Sequence, residues 1–197
     1  MISIKDVYDD INNPADLSKF MQKYIDYGYL SMNGTVHHYY DDDFNDKWYD
    51  NYMLESSLDV LNTGIGNCFD QVEFEREWFV NNGYEVKTIY EMVLLDYENP
   101  YPTHAFLVFK DENNKWNYFE NADYDNRGIY TFSNFNKLIN YQYNKYVELL
   151  KKYDITPNEL KKIIITEYEK PRVHSTAEEF INYVVDSKKI NLKNVLE

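Results

Sequence analysis

Cysteine is almost missing from this 197-residue chain, which carries Cys68 alone, six glycines and five prolines. A single thiol excludes an intramolecular disulfide and a cysteine-rich zinc site. No apolar stretch approaches the roughly 20 residues a membrane span requires. The opening Met-Ile-Ser-Ile-Lys-Asp-Val-Tyr-Asp-Asp lacks the basic and apolar regions of a classical signal, so a soluble, cytoplasmic protein is expected. Positive charge is also scarce: 20 Lys and Arg face 34 Asp and Glu, a net charge of −14. Such a field repels phosphate backbones and anionic lipid, which argues against nucleic-acid and membrane partners. Aromatic residues, by contrast, are abundant. With 21 Tyr, 11 Phe and 44% hydrophobic residues, the chain has ample material for a packed core. No repeat or low-complexity linker divides it, so one domain over 1–197 is expected, with a core at about 47–135 and helical and α/β additions on either side.

Local patterns order the elements. Asn13 as N-cap and Pro14 at the first helical position predict a helix over 14–27, with Leu17, Phe20, Met21 and Tyr24 at helical spacing. Val36 to Tyr40 reads as a short strand or ordered loop. The run Asp41-Asp42-Asp43 lacks the spacing of a calcium loop and reads as a solvated turn. Trp48, Tyr49, Tyr52, Met53, Leu58 and Leu61 predict a second helix over 47–61. A third runs from Cys68 to about Asn82, with Asn67 as N-cap and Gly83 as the stop. The period then becomes extended. Strands are expected at 86–95, 104–110, 115–121, 128–132 and 163–168, with a helix over 135–153. A last helix opens at Ser175 with a capping box to Glu178. The expected fold is α+β, with the cysteine-bearing helix packed on an antiparallel sheet.

Chemistry concentrates around the thiol. A cysteine at a helix N-terminus faces the positive end of the helix dipole, which favours thiolate. Gly64 and Gly66 let the backbone approach closely just before it, and the Cys68 N–H is placed to act as an oxyanion donor. His104 begins one strand of the expected hairpin, and a carboxylate ends the next. A three-residue loop at 111–113, with Asn113 in the left-handed position, sets Glu120 opposite His104; a four-residue loop sets Asn121 there instead. The first is preferred because it pairs Phe106 with Tyr118 and Val108 with Trp116. The His37-His38 pair faces opposite ways on an extended segment and has no third ligand at a telling distance, which argues against a metal site. His174 reads as a surface residue, and Tyr141, Tyr143 and Tyr146 as residues that pack a helix on the sheet.

Three blocks in this order, Gly64-Ile65-Gly66-Asn67-Cys68-Phe69-Asp70, His104-Ala105-Phe106-Leu107-Val108-Phe109 and Trp116-Asn117-Tyr118-Phe119-Glu120-Asn121, resemble the core of the transglutaminase-like cysteine enzyme superfamily. The resemblance covers about 58–132. It departs at the third position, where that superfamily usually has Asp and this chain has Glu120. The resemblance implies a papain-like core in which Cys68 attacks an amide carbonyl, His104 carries the proton and Glu120 orients the ring, with Asn121 as the alternative third member. A thioester results, and water or an amine resolves it without metal or organic cofactor. Peptide or protein amides are the implied substrates. In related folds, residues placed like Trp48, Tyr49 and Tyr52, with Gly66, supply a second oxyanion donor or a substrate wall. Two other readings remain open: acyl transfer of the arylamine N-acetyltransferase kind, and a binding module that keeps the fold without the chemistry.

Overall fold

The computed structural model describes residues 4–42, 44, 48–96 and 99–194. Asp43 of the acidic run and Lys47, the expected start of the second helix, lie outside them. Ile4–Asp9 forms α1 and Pro14–Tyr24 forms α2. Asn13 caps α2 as predicted, its side chain accepting the Asp16 N–H. The helix stops at Tyr24, short of the expected Tyr27, because the chain extends at Ile25 and lays Asp26 beside Ile65 in a parallel bridge. Gly28–Leu30 (β1) then pairs antiparallel with Val36–His38 (β2).

The second helix is two helices, Trp48–Asn51 (α3) and Ser57–Thr63 (α4), a correction to the continuous 47–61 expected. Between them Tyr52 bridges Ser31 and Met53 bridges Thr176. Ser56 then starts α4 afresh: its hydroxyl accepts the Asp59 N–H and the Asp59 carboxylate accepts the Ser56 N–H. This restart turns Leu58 outward, so it is exposed. Gly64 closes α4 in the left-handed region at φ 69.

Cys68–Asn81 (α5) starts at the expected residue. It is followed by Val86–Val93 (β3), His104–Lys110 (β4), Trp116–Glu120 (β5), Gly128–Phe132 (β6) and Phe135–Lys151 (α6). Pro157–Leu160 (α7), Ile163–Tyr168 (β7), Ala177–Val185 (α8) and Lys188–Lys189 (β8) complete the order. The cap of α8 falls one residue later than expected, on Thr176 with Glu179. Strands β6-β5-β4-β3-β7-β8 form one antiparallel six-stranded sheet. The fold is α+β. Alternation along β4 sends Ala105, Leu107 and Phe109 into a cluster with Phe69, Val72 and Phe79 of α5. Phe106 and Val108 go into a second cluster with Leu138 and Ile139 of α6. Both faces are thus covered, and every residue of β5 is buried. No helix among the described residues is long and apolar enough to cross a membrane.

The β4–β5 register corrects both sequence alternatives. Lys110 pairs with Trp116 and Leu107 with Phe119 across a five-residue connection, two places from the preferred pairing. Asp111 Oδ1 accepts the N–H groups of Asn113 and Lys115, both at 2.9 Å, which widens the turn. The left-handed residue is Asn114 at φ 57, not Asn113. A slip of two keeps every side chain on its expected face. Glu120 therefore remains on the face of His104 as its diagonal neighbour, and Phe106 still meets Tyr118 edge-on at 5.3 Å.

Candidate active site

The sulfur is held at the first residue of α5. Asn67 caps the helix by accepting the N–H groups of Phe69 and Asp70, and Asp70 Oδ2 in turn accepts the Asn67 N–H at 2.9 Å. Asp70 does more than complement a dipole. It is fully buried, and its Oδ1 accepts the Tyr52 hydroxyl at 2.7 Å and the Glu55 N–H at 2.8 Å. The α3–α4 connection is thereby tied to the start of the cysteine helix. Burial pushes the carboxyls of both Asp70 and Glu55 up, and Asp70 further raises Glu55. Three donors on Asp70 assign the charge to it and the proton to Glu55.

His104 opens β4 and Glu120 ends β5, so both stand at one end of the sheet. His104 Nε2 lies 2.8 Å from Glu120 Oε2; the histidine side chain is 18% exposed and the glutamate 2%. Glu120 also accepts the Tyr118 hydroxyl on Oε2 and the Asp123 N–H on Oε1 at 2.9 Å. Burial alone would raise this carboxyl, but the His104 charge and these donors hold it at about 2. An ionised carboxylate can only accept, so Nε2 donates and Nδ1 is the nitrogen left for the thiol. The Cys68 side chain lines the same cavity as the ring and acts on it as well. Burial works against the imidazolium, yet Glu120 and Cys68 together raise His104 well above the ordinary histidine value.

The three residues of the expected triad are thus brought together. Asn121 is not part of it: its amide donates to Gln71 Oε1 at 2.6 Å, facing α5. Tyr52, expected as an oxyanion donor or wall, is committed to Asp70. Trp48 packs edge-on against Tyr52 and Tyr49 outside the cavity wall. Gly66 also serves structure, since its N–H donates to the Asp26 carbonyl and its carbonyl accepts the Gln71 amide at 2.7 Å. A Cβ there would lie 3.0 Å from that of Asp70. His37 and His38 stack on Tyr29 and Tyr40. Among the described residues no cluster of three or more His, Cys, Asp or Glu is arranged to hold a metal. His174 is half exposed and bonds Asp59 at 2.9 Å. Tyr146 is buried beneath α6, and Tyr141 on the same helix, though exposed, lays its ring against Tyr130 and Phe132 of β6.

A cavity of about 580 Å³ opens beside the triad, between the start of α5 and the flank of α6. Tyr27, Cys68, Glu91, His104, Gln142 and Lys145 are among its walls. Cys68 is only 6% exposed, and this cavity is its outlet. Glu91 is the cross-strand partner of His104 on β3. Its carboxyl is pushed up to about 8, by burial first and by Glu120 last, against the pull of His104 and Lys145. Glu91 Oε2 and Gln142 Oε1 are buried without a hydrogen-bond partner. Glu75, seven residues after Cys68 on the same helix face, is also buried and raised, chiefly by burial and then by Glu120. The sequence reading missed Glu75, Glu91, Tyr118 and Tyr27. A lone acid inside Ile89-Tyr90-Glu91-Met92-Val93, and another one heptad after the cysteine, were the available signals. No protein-family model matches the chain, and no curated protein is significantly similar to it in sequence.

Proposed function

We propose that the chain is a cysteine-dependent hydrolase or acyltransferase of transglutaminase-like type, acting on peptide or protein amides through a thioester. The observation that carries this reading is the His104 ring, bonded to Glu120 and sharing one cavity with the Cys68 thiol. In the reaction the sulfur adds to the amide carbonyl and the C–N bond breaks as the leaving amine takes a proton from His104. Water then donates its proton to His104, adds to the thioester and releases the acid; an amine doing the same gives a new amide. Glu120 keeps Nε2 protonated, so that Nδ1 is the atom that exchanges the proton. The unpartnered Gln142 amide oxygen supports an amide, whose N–H group it can receive, over an ester.

The test is to incubate the full chain with 4-nitrophenyl acetate and follow nitrophenolate release and intact mass. An acetyl adduct on Cys68 is expected, absent in Cys68→Ala and formed at least about 10²-fold more slowly in His104→Ala. A chain that acquires no adduct, or acquires it equally in His104→Ala, refutes the proposal. With a peptide amide, free acid marks hydrolysis and a new amide from added amine marks transfer.

A further inference from the structure

Tyr27 lies outside every motif that drew attention to the triad, yet the fold builds it into the same cavity as Cys68 and His104. Its backbone is clamped. The Asp26 N–H donates to the Gly64 carbonyl at 2.8 Å, the Gly66 N–H returns a bond to the Asp26 carbonyl at 3.1 Å, and the Gly28 N–H donates to the Gly66 carbonyl at 3.4 Å. Residues 26–28 therefore run alongside the turn that delivers the cysteine. The Tyr27 N–H donates to Asp26 Oδ1 at 2.9 Å and to the Tyr124 hydroxyl at 3.0 Å, and its carbonyl accepts the Tyr39 N–H at 3.1 Å. The ring packs against Phe44 at 6.2 Å.

Its hydroxyl is close enough to the backbone N–H of Cys68 for that N–H to act on the phenol oxygen, and both residues line the one cavity. That N–H is the one at the start of α5 that the Asn67 cap leaves open, because Asn67 takes Phe69 and Asp70. It is also the donor a tetrahedral intermediate on the Cys68 sulfur would use. The phenol thus stands beside the place where an oxyanion would develop. Burial, with Cys68 and Asp70 nearby, drives the phenol well above its ordinary value, so it keeps its proton and can donate.

We infer that Tyr27 is a catalytic residue, the second oxyanion donor: an arriving carbonyl oxygen accepts the Cys68 N–H, and the neighbouring Tyr27 hydroxyl donates its proton in a hydrogen bond to that oxygen. The inference rests on the proposed cysteine chemistry. Sulfur adds to carbon, the carbonyl π pair moves onto oxygen, and Tyr27 and the Cys68 N–H hold that charge until the pair returns and the leaving group departs. No proton leaves Tyr27.

Tyr27→Phe tests this, since the ring and its packing stay while the hydroxyl goes. Two rates are compared with those of the unsubstituted chain: acylation of Cys68 by 4-nitrophenyl acetate, which passes through an oxyanion, and alkylation by iodoacetamide, which does not. Acylation is expected to fall about 10²-fold, with alkylation within about threefold. Acylation as fast as or faster than that of the parent overturns the inference, because the hydroxyl is then a spectator or a plug. An equal fall in both rates also overturns it, because the hydroxyl then acts on the thiol. If the parent itself forms no acyl adduct, the cysteine chemistry has failed, a result distinct from either.

Discussion

At the scale of single residues, the charge on Glu120 governs the imidazole. Because Glu120 raises His104, Glu120→Gln removes a negative charge 2.8 Å from the ring and should bring the His104 titration to lower pH. An NMR titration of the ring C2–H should show a midpoint at least about one pH unit below that of the parent. An unchanged midpoint would mean that Cys68, not Glu120, sustains the cation. Asp70 is the matching case for stability. Asp70→Asn leaves one oxygen for three buried donors and turns an amide N–H toward the rest. A loss of about 1–3 kcal/mol is expected, read from the urea midpoint. That Asp70 would acquire three partners was not legible: a first-turn acid after Cys68 predicts a capping contact, but nothing local says that Tyr52 and Glu55 will come to it.

Among the elements, the β1–β2 pair holds Tyr27 in place, and Gly28 is its tightest point. A Cβ there would stand 2.5 Å from the His37 carbonyl oxygen and 3.1 Å from Ile65, so backbone must move. Gly28→Ala should cost about 1–3 kcal/mol. It should also slow acylation of Cys68 although forty positions separate the two residues; a normal acylation rate in a destabilised variant would detach β1 from the site. The elements differ in how far the sequence revealed them. α5 was readable from Asn67 at one end and Gly83 at the other, and β6 and β7 from their β-branched and aromatic runs. The β1 strand, three residues long, carries too little pattern to read, and the Ser56 cap that breaks the 47–61 segment lay hidden beneath continuous helical spacing. The β4–β5 hairpin was misread by two residues, yet the candidate site survived because faces depend on parity alone.

Across the whole molecule, buried acids set the response to pH. Glu55, Glu75 and Glu91 are all raised in the fold, Glu91 to about 8 from an ordinary 4.5. A raised group contributes stability that is complete below its unfolded value and is lost as pH climbs through its folded one. Glu120, held at about 2, acts in the opposite sense, stabilising above 4.5 and failing as pH falls toward 2. Thermal unfolding should therefore peak near pH 5 and decline toward pH 9, and Glu91→Gln should flatten that decline. A peak at pH 8 or above would contradict this reading. The sulfur rides on a helix and the imidazole on a strand, and only the packed interior between them sets their separation. A collapsed chain that had regained its helices and sheet but not its interlocked side chains would be chemically silent. On the proposed chemistry, recovery of Cys68 acylation after dilution from denaturant should accordingly trail the far-ultraviolet signal and coincide with the final tightening of the interior.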